Sequence, residues 1–254
     1  MHSSKRAITR RELDILCGVL RPYITPSVSS VKSSPPKVIS LPSYGHFLRH
    51  PCGEDMSLSI VNTPQGMIRA RAPEYSYTVA ISNDFLSVSW RLNHSEGILE
   101  RVKMATLPPK THYEIRLHGN SFLFLLELSN SKIFTNKSPI GLALTGNSIN
   151  TDRSSVEFYM EKEPFIQDFH ACPETKTYVS MGRASVIWLD DQKLMINEAA
   201  VSGIITVNPE IPHSVIAKSE SPLFTITAEN PRRQSKTPKS IMVTKEEIRE
   251  ALRL

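Results

Sequence analysis

The side chains able to do chemistry concentrate in the stretch Asp168–Asn230, which opens DFHACPETK. His170, Cys172, Glu174 and Lys176 fall on alternate positions, so an extended strand would present all four on one face, with Pro173 as the residue that disturbs it. A further histidine, His213, ends the segment NPEIPH. Two prolines directly after the apolar run Ile204–Val207 take the chain out of its ladder, because proline gives no N–H, and His213 begins the strand that follows. Imidazole, thiolate and carboxylate are transition-metal ligands, and a cysteine moves the preference toward softer metals such as zinc. Lys176 and Arg183 offer a different chemistry. They could hold a carboxylate or phosphate while Tyr178 and Trp188 supply the apolar wall of a concave site.

Each of these residues also has a structural reading. His213 bonds backbone at a strand end, Cys172 is a small buried residue, and Lys176 forms an ion pair with Glu174 or Asp168. His46, His50 and Cys52 stand at i, i+4 and i+6, but Pro51 and Gly53 interrupt any helix there, so YGHFLRHPCG reads as a surface turn rather than a metal site. The sequence contains no G-x-S-x-G elbow, P-loop, G-x-G-x-x-G or H-E-x-x-H.

The elements that must position these groups are short and β-rich. Thr177–Val179, Ser185–Leu189, Gly203–Val207, Ser214–Ala217 and Leu223–Thr227 alternate with turn-like segments, the pattern of antiparallel strands in a sandwich or barrel. Leu58–Val61, Tyr77–Ile81, Leu86–Arg91, His112–Leu117 and Phe122–Leu128 repeat that pattern upstream, and FLFLLEL suits a strand buried on both faces. The two halves share landmarks. Pro73-Glu74 and Val79 recur as Pro173-Glu174 and Val179, Ser87-Val-Ser-Trp90 as Ser185-Val-Ile-Trp188, and Pro109 with His112 as Pro209 with His213. A period near 100 residues fits a whole small domain repeated.

These residues resemble the cupin superfamily, whose jelly-roll barrels carry two motifs. Gly203 to His213 resembles the second, with Ile211 in place of a glycine and the histidine one position early; His170, Cys172, Lys176 and Gly182 resemble the first, with two liganding positions changed. The resemblance implies an all-β chain of two tandem cupin-like barrels, a bicupin, with short N- and C-terminal helices. Its parts are a helix and Ser/Pro/Lys-rich linker (1–42), a degenerate barrel (43–150), a barrel with residual motifs (151–230), and a basic segment with a C-terminal helix (231–254). Metal-binding cupins hold iron, manganese, nickel or zinc on three histidines and a glutamate. In the first half Ala70, Ala72 and Ser76 take the motif-one places and ligate nothing. In the second, His170 and His213 remain, and Glu174 would complete a two-histidine, one-carboxylate set, or Cys172 a softer one. The expected protein is a small-molecule-binding, sensory or structural barrel without strong catalysis, holding either no cofactor or a divalent Fe, Zn or Mn in the second barrel. The alternative is a metal-dependent dioxygenase or isomerase. Residues 99–130 also resemble the sensor barrel of AraC-type regulators, but only 24 residues follow Asn230, too few for their DNA-binding domain. A homodimer is a further expectation from the resemblance.

The totals limit the alternatives. The net charge of +5 resides at the ends: residues 41–230 carry 16 basic and 20 acidic residues, a net −4. Nucleic acid would therefore be reached only through basic tails, which also read as solvated segments. No apolar run reaches the ~18 residues needed to span a bilayer. Three cysteines far apart point to a reducing, cytoplasmic setting. Thr9-Arg-Arg-Glu12 caps an expected helix over about 10–21, whose start is similar to the first helix of a LuxR-type module and whose acids argue against an organellar leader. Thr244-Lys-Glu-Glu247 caps a second helix facing Ile248, Ala251 and Leu252 inward.

Overall fold

Strands account for nearly every described element, as period-2 and continuous apolar runs require. The computed structural model describes residues 11, 15, 18–19, 36–40, 47–53, 56–63, 66–119, 121–129, 138–142, 147–150, 154–159, 165–180, 184–190, 193–198, 203–217, 223–228 and 240–253. In chain order the strands are β1 (Lys37–Ser40), β2 (Phe47–Gly53), β3 (Met56–Thr63), β4 (Met67–Arg71), β5 (Ser76–Leu92), β6 (Ser95–Leu107), β7 (His112–Leu117), β8 (Ser121–Ser129), β9 (Ile140–Leu142) and β10 (Asn147–Asn150). There follow β11 (Ser154–Tyr159), β12 (Phe165–Ile166), β13 (Phe169–Ala171), β14 (Thr175–Ser180), β15 (Ala184–Asp190), β16 (Lys193–Glu198), β17 (Gly203–Val207), β18 (His213–Ala217), β19 (Leu223–Ala228), β20 (Ser240–Val243) and a helix over Lys245–Leu252. The chain divides into two compact units, one of Leu41–Glu157 and one of Met1–Ser40 with Phe158–Leu254.

The first unit is a curled antiparallel sheet in the order β2-β3-β8-β5-β6-β9, with β7 joining β5 to β4. Tyr77–Ile81 and Leu86–Arg91 merge into the long β5, whose register against β6 shifts between Ile81 and Val88. Leu123 and Phe124 of β8 are both fully buried although they point opposite ways, as the apolar run demanded. Ala80, Leu86, Val88, Leu107, Ile115 and Leu117 fill one face with Tyr113. Burial pushes the Tyr113 phenol up to about 12, and the Glu127 carboxylate acts in the same direction. The surface-turn reading of His50 and Cys52 is corrected: both lie in β2 and are buried, at 4% and 2% exposure. Pro51 is accommodated because β2 is an edge strand with a register shift beside it. His46 lies outside the described residues.

Two sheets build the second unit. One runs β1-β17-β14-β19 and the other β16-β15-β18-β13-β20, with β12 also on β18. Lys37–Ser40, expected in a linker, instead pairs with β17. Four residues at a sheet edge need only backbone hydrogen bonds, which a Ser/Pro/Lys composition does not reveal. Ser240–Val243 likewise forms β20 at the end of the segment read as basic and irregular, and 231–239 lie outside the described residues. Between the sheets Tyr178, Ala184, Val186, Trp188, Ile205, Val207, Ile211, Val215 and Ala217 make an apolar interior with Phe165. The outer face of the β15–β18 sheet, with Ile187, Ile216, Phe169 and Val243, is covered by Ile248 and Leu252 of the C-terminal helix and by Val19. Arg11, Ile15, Gly18 and Val19 are helical, within the N-terminal helix expected over 10–21. The capping box forms as read: Thr244 Oγ1 accepts from the Glu247 N–H and the Glu247 carboxylate accepts from the Thr244 N–H.

The internal repeat is visible in register. Across β6, β5, β7 and β4 stand Gly97, Trp90, Tyr113 and Ala70; across β16, β15, β18 and β13 stand Met195, Trp188, His213 and His170. Lys110 and Glu210, 100 residues apart, both adopt left-handed φ, 65° and 64°. Their N–H groups close equivalent turns onto the Pro73 and Cys172 carbonyls. The structure places Tyr113, not His112, at the position matching His213. His112 is exposed, one residue out of register.

Candidate ligand site in the second barrel

Four strands converge on His213. Directly paired residues of neighbouring strands share a face, so Trp188, His213 and His170 form a row on the inner side of one sheet. Tyr178 reaches them from the other. All are buried: His170 at 0%, His213 at 1%, Tyr178 at 0% and Trp188 at 5% exposure. The two imidazole centroids lie 4.7 Å apart, tilted by 46°.

Hydrogen bonds fix both rings. The Asp168 carbonyl accepts from His170 Nδ1–H and the Ile211 carbonyl from His213 Nδ1–H, each at 2.7 Å. A carbonyl can only accept, so each Nδ1 carries a proton. On its other side His213 Nε2 stands 2.8 Å from the Tyr178 hydroxyl, which lies 2.6 Å from Gln167 Oε1. The same heavy-atom positions serve two protonation states. If Tyr178 donates to Gln167, its oxygen accepts from Nε2–H and His213 is a cation. If the Gln167 amide turns over, its NH₂ donates to the hydroxyl, which then donates to a neutral His213. In both, Tyr178 holds the nitrogen that His213 would offer to a metal. The Tyr178→Phe substitution is expected to cost about 1–3 kcal/mol, since it leaves polar atoms of His213 and Gln167 buried without this partner. Urea unfolding measures the loss, and a change under about 0.5 kcal/mol, the scale of an ordinary surface substitution, would contradict it.

The remaining candidates are placed as follows. Cys172 is buried just beyond β13, its thiol donating to the Glu174 carbonyl at 3.4 Å. Burial pushes that thiol above its ordinary value, against the charge of Lys176. The alternation expected for His170, Cys172, Glu174 and Lys176 is broken at Pro173 and Glu174, which bend the chain, so His170 belongs to β13 and Lys176 to β14. Glu174 is half-buried at that turn. Lys176 pairs with Val207, on the inner face with Tyr178, and is partly buried. Arg183 lies outside the described residues. The Asp168 carboxylate accepts from the Lys245 N–H at the helix start. In the first unit Ala72 is core and Ser76 Oγ meets Ser129 Oγ. Gln167, which no spacing signalled, completes the chain to Tyr178. Trp188, read as wall, also buries an indole Nε1–H that has no hydrogen-bond partner among the described residues.

As a metal centre this donor set does not fit. No group of three or more His, Cys, Asp or Glu side chains is arranged to hold an ion among the described residues. The Cys172 thiol is engaged and its thiolate disfavoured, and Tyr178 holds His213 Nε2.

No family model and no curated protein matches the sequence. Solved structures do. The chain is similar to AerE from Microcystis aeruginosa, with 8% identity over 77% of this chain and 97% of that one and a TM-score of 0.52. It is similar to HEPD from Streptomyces albus, solved with 2-hydroxyethylphosphonate and Fe(II) bound, at 7% identity over 81% and 76%, TM-score 0.53. The vicilin of Solanum melongena, described with different anionic ligands in structurally similar pockets, matches at 8% identity over 85% and 87%, TM-score 0.53. These likenesses show the fold alone: a cupin-like jelly roll, mostly strand, repeated in two units as in the vicilin. No helix among the described residues is long and apolar enough to cross a membrane.

Proposed function

We propose that the second barrel is a small-molecule-binding site that works without a metal, in a sensory or structural protein rather than a strong catalyst. The observation that carries this reading is the buried Trp188 Nε1–H in the apolar interior, a donor with no partner among the described residues. A buried donor left unmade costs ~1–3 kcal/mol, so the site rewards a ligand that accepts from it. Tyr178 and His213 are tied to one another beside it and shape the wall. A reducing, cytoplasmic setting agrees with the buried cysteines Cys52 and Cys172, which form no disulfide.

The second reading, a metal-dependent dioxygenase or isomerase, is favoured by one observation, the adjacent, tilted rings of His170 and His213. Metal-free full-length protein should separate the two in a thermal-shift panel of small organic acids, amides and the ions Zn²⁺, Fe²⁺ and Mn²⁺. An organic ligand at about 100 times its Kd stabilises by roughly 2.7 kcal/mol, several degrees in Tm for a chain this long. Stabilisation by an organic compound with none from the ions supports the binding barrel. Stabilisation by an ion alone overturns it.

A further inference from the structure

We infer that the ligand of the second barrel is a small organic anion, its carboxylate or other oxyanion accepting from Trp188 Nε1–H with Lys176 supplying positive charge on the same inner face. The inference rests on the binding reading above and adds the chemical class. Trp188 is a donor only, so its partner must be an acceptor. Lys176 and Tyr178 are two residues apart on β14, and Lys176 stands opposite Val207 of the interior cluster, so its side chain leaves the strand on the side that Tyr178 uses. Beside His213 stand His170 from β13, Trp188 from β15 and Tyr178 from β14, while Lys176 and Glu174 lie near Cys172 where β13 turns into β14. Both imidazoles already carry Nδ1–H, so a proton on Nε2 of either would add positive charge beside the indole. The carboxylates nearest these groups are Glu174, half-buried on the turn, and Asp168, whose carboxylate accepts from the Lys245 N–H at the helix start. A neutral acceptor would satisfy the indole but gain nothing from Lys176. An anion gains from both, because a hydrogen bond to an ionised acceptor is roughly twice as strong as a neutral one.

The test uses the full chain labelled with ¹⁵N at the indoles. It carries two tryptophans, and the Trp188 resonance is assigned from a Trp90→Phe variant. Acetate, inorganic phosphate and acetamide, the neutral counterpart of acetate, are titrated in turn. Acetate or phosphate should move the Trp188 Nε1–H resonance downfield and saturably, while acetamide leaves it in place. Lys176→Gln should weaken the anion's apparent Kd about 2- to 5-fold, the range of a partly exposed charge contact. Acetamide moving the resonance as far and as tightly as acetate overturns the anion class while leaving the binding barrel standing. No movement with either anion also overturns it, and the thermal-shift panel then decides the binding reading separately. A shift unaffected by Lys176→Gln overturns the role given to Lys176.

Discussion

Trp188→Ala is expected to destabilise the protein by about 3–5 kcal/mol, the range for deleting a buried large aromatic. The side chain is 95% buried inside the second unit, packed with Val186, Ile205, Val207 and Val215 and paired across strands with His213. Its loss opens a cavity that the neighbouring β-branched residues cannot fill, because they are stiff at χ1. The informative comparison is Trp188→Phe. Phenylalanine keeps most of the apolar area and removes an N–H that bonds nothing among the described residues, so it should cost no more than about 1.5 kcal/mol. Urea unfolding of both variants decides. If the phenylalanine variant loses as much as the alanine one, the indole N–H has a partner within the protein and the ligand argument loses its anchor.

Ile248→Ala should cost about 2–5 kcal/mol, although it lies far along the chain from the histidines. A helix of eight residues is marginal in water by itself, so packing must hold it. Ile248 and Leu252, one turn apart, seat against Ile166, Phe169, Ile187, Ile216 and Val243 on the outer face of the sheet whose inner face carries His170, His213 and Trp188. The helix start is tied to Asp168, whose carbonyl also orients His170. Hydrogen exchange should therefore show lost protection in β13 and β18 as well as in the helix. Loss confined to the helix would mean that it does not brace the site.

Much of this architecture was legible in the residues because burial writes itself as periodicity. The runs Thr177–Val179, Ser185–Leu189 and Gly203–Val207 had to be strands, and Trp90 and Trp188 marked equivalent strands of two copies. What escaped depended on backbone or on distance. Lys37–Ser40 joins a sheet by main-chain bonds that leave no mark on side-chain types. His112 and Tyr113 differ by one step of register, which flips a side chain to the other face, and landmark spacing does not resolve one residue. The alternation from His170 to Lys176 assumed one strand where Pro173 and Glu174 make a turn. Of the site itself, His170 and His213 announced themselves by type. The bond that decides their chemistry, from Tyr178 to His213, joins opposite sheets 35 residues apart, and Gln167 had no pattern to betray it.

Tyr178 and a metal would compete for the same nitrogen, His213 Nε2. Calorimetric titration of the metal-free full chain with Zn²⁺, and with Fe²⁺ under anaerobic conditions, measures this directly. No one-to-one site that depends on His213 should be found. A one-to-one complex that His213→Gln abolishes while the fold persists would contradict it.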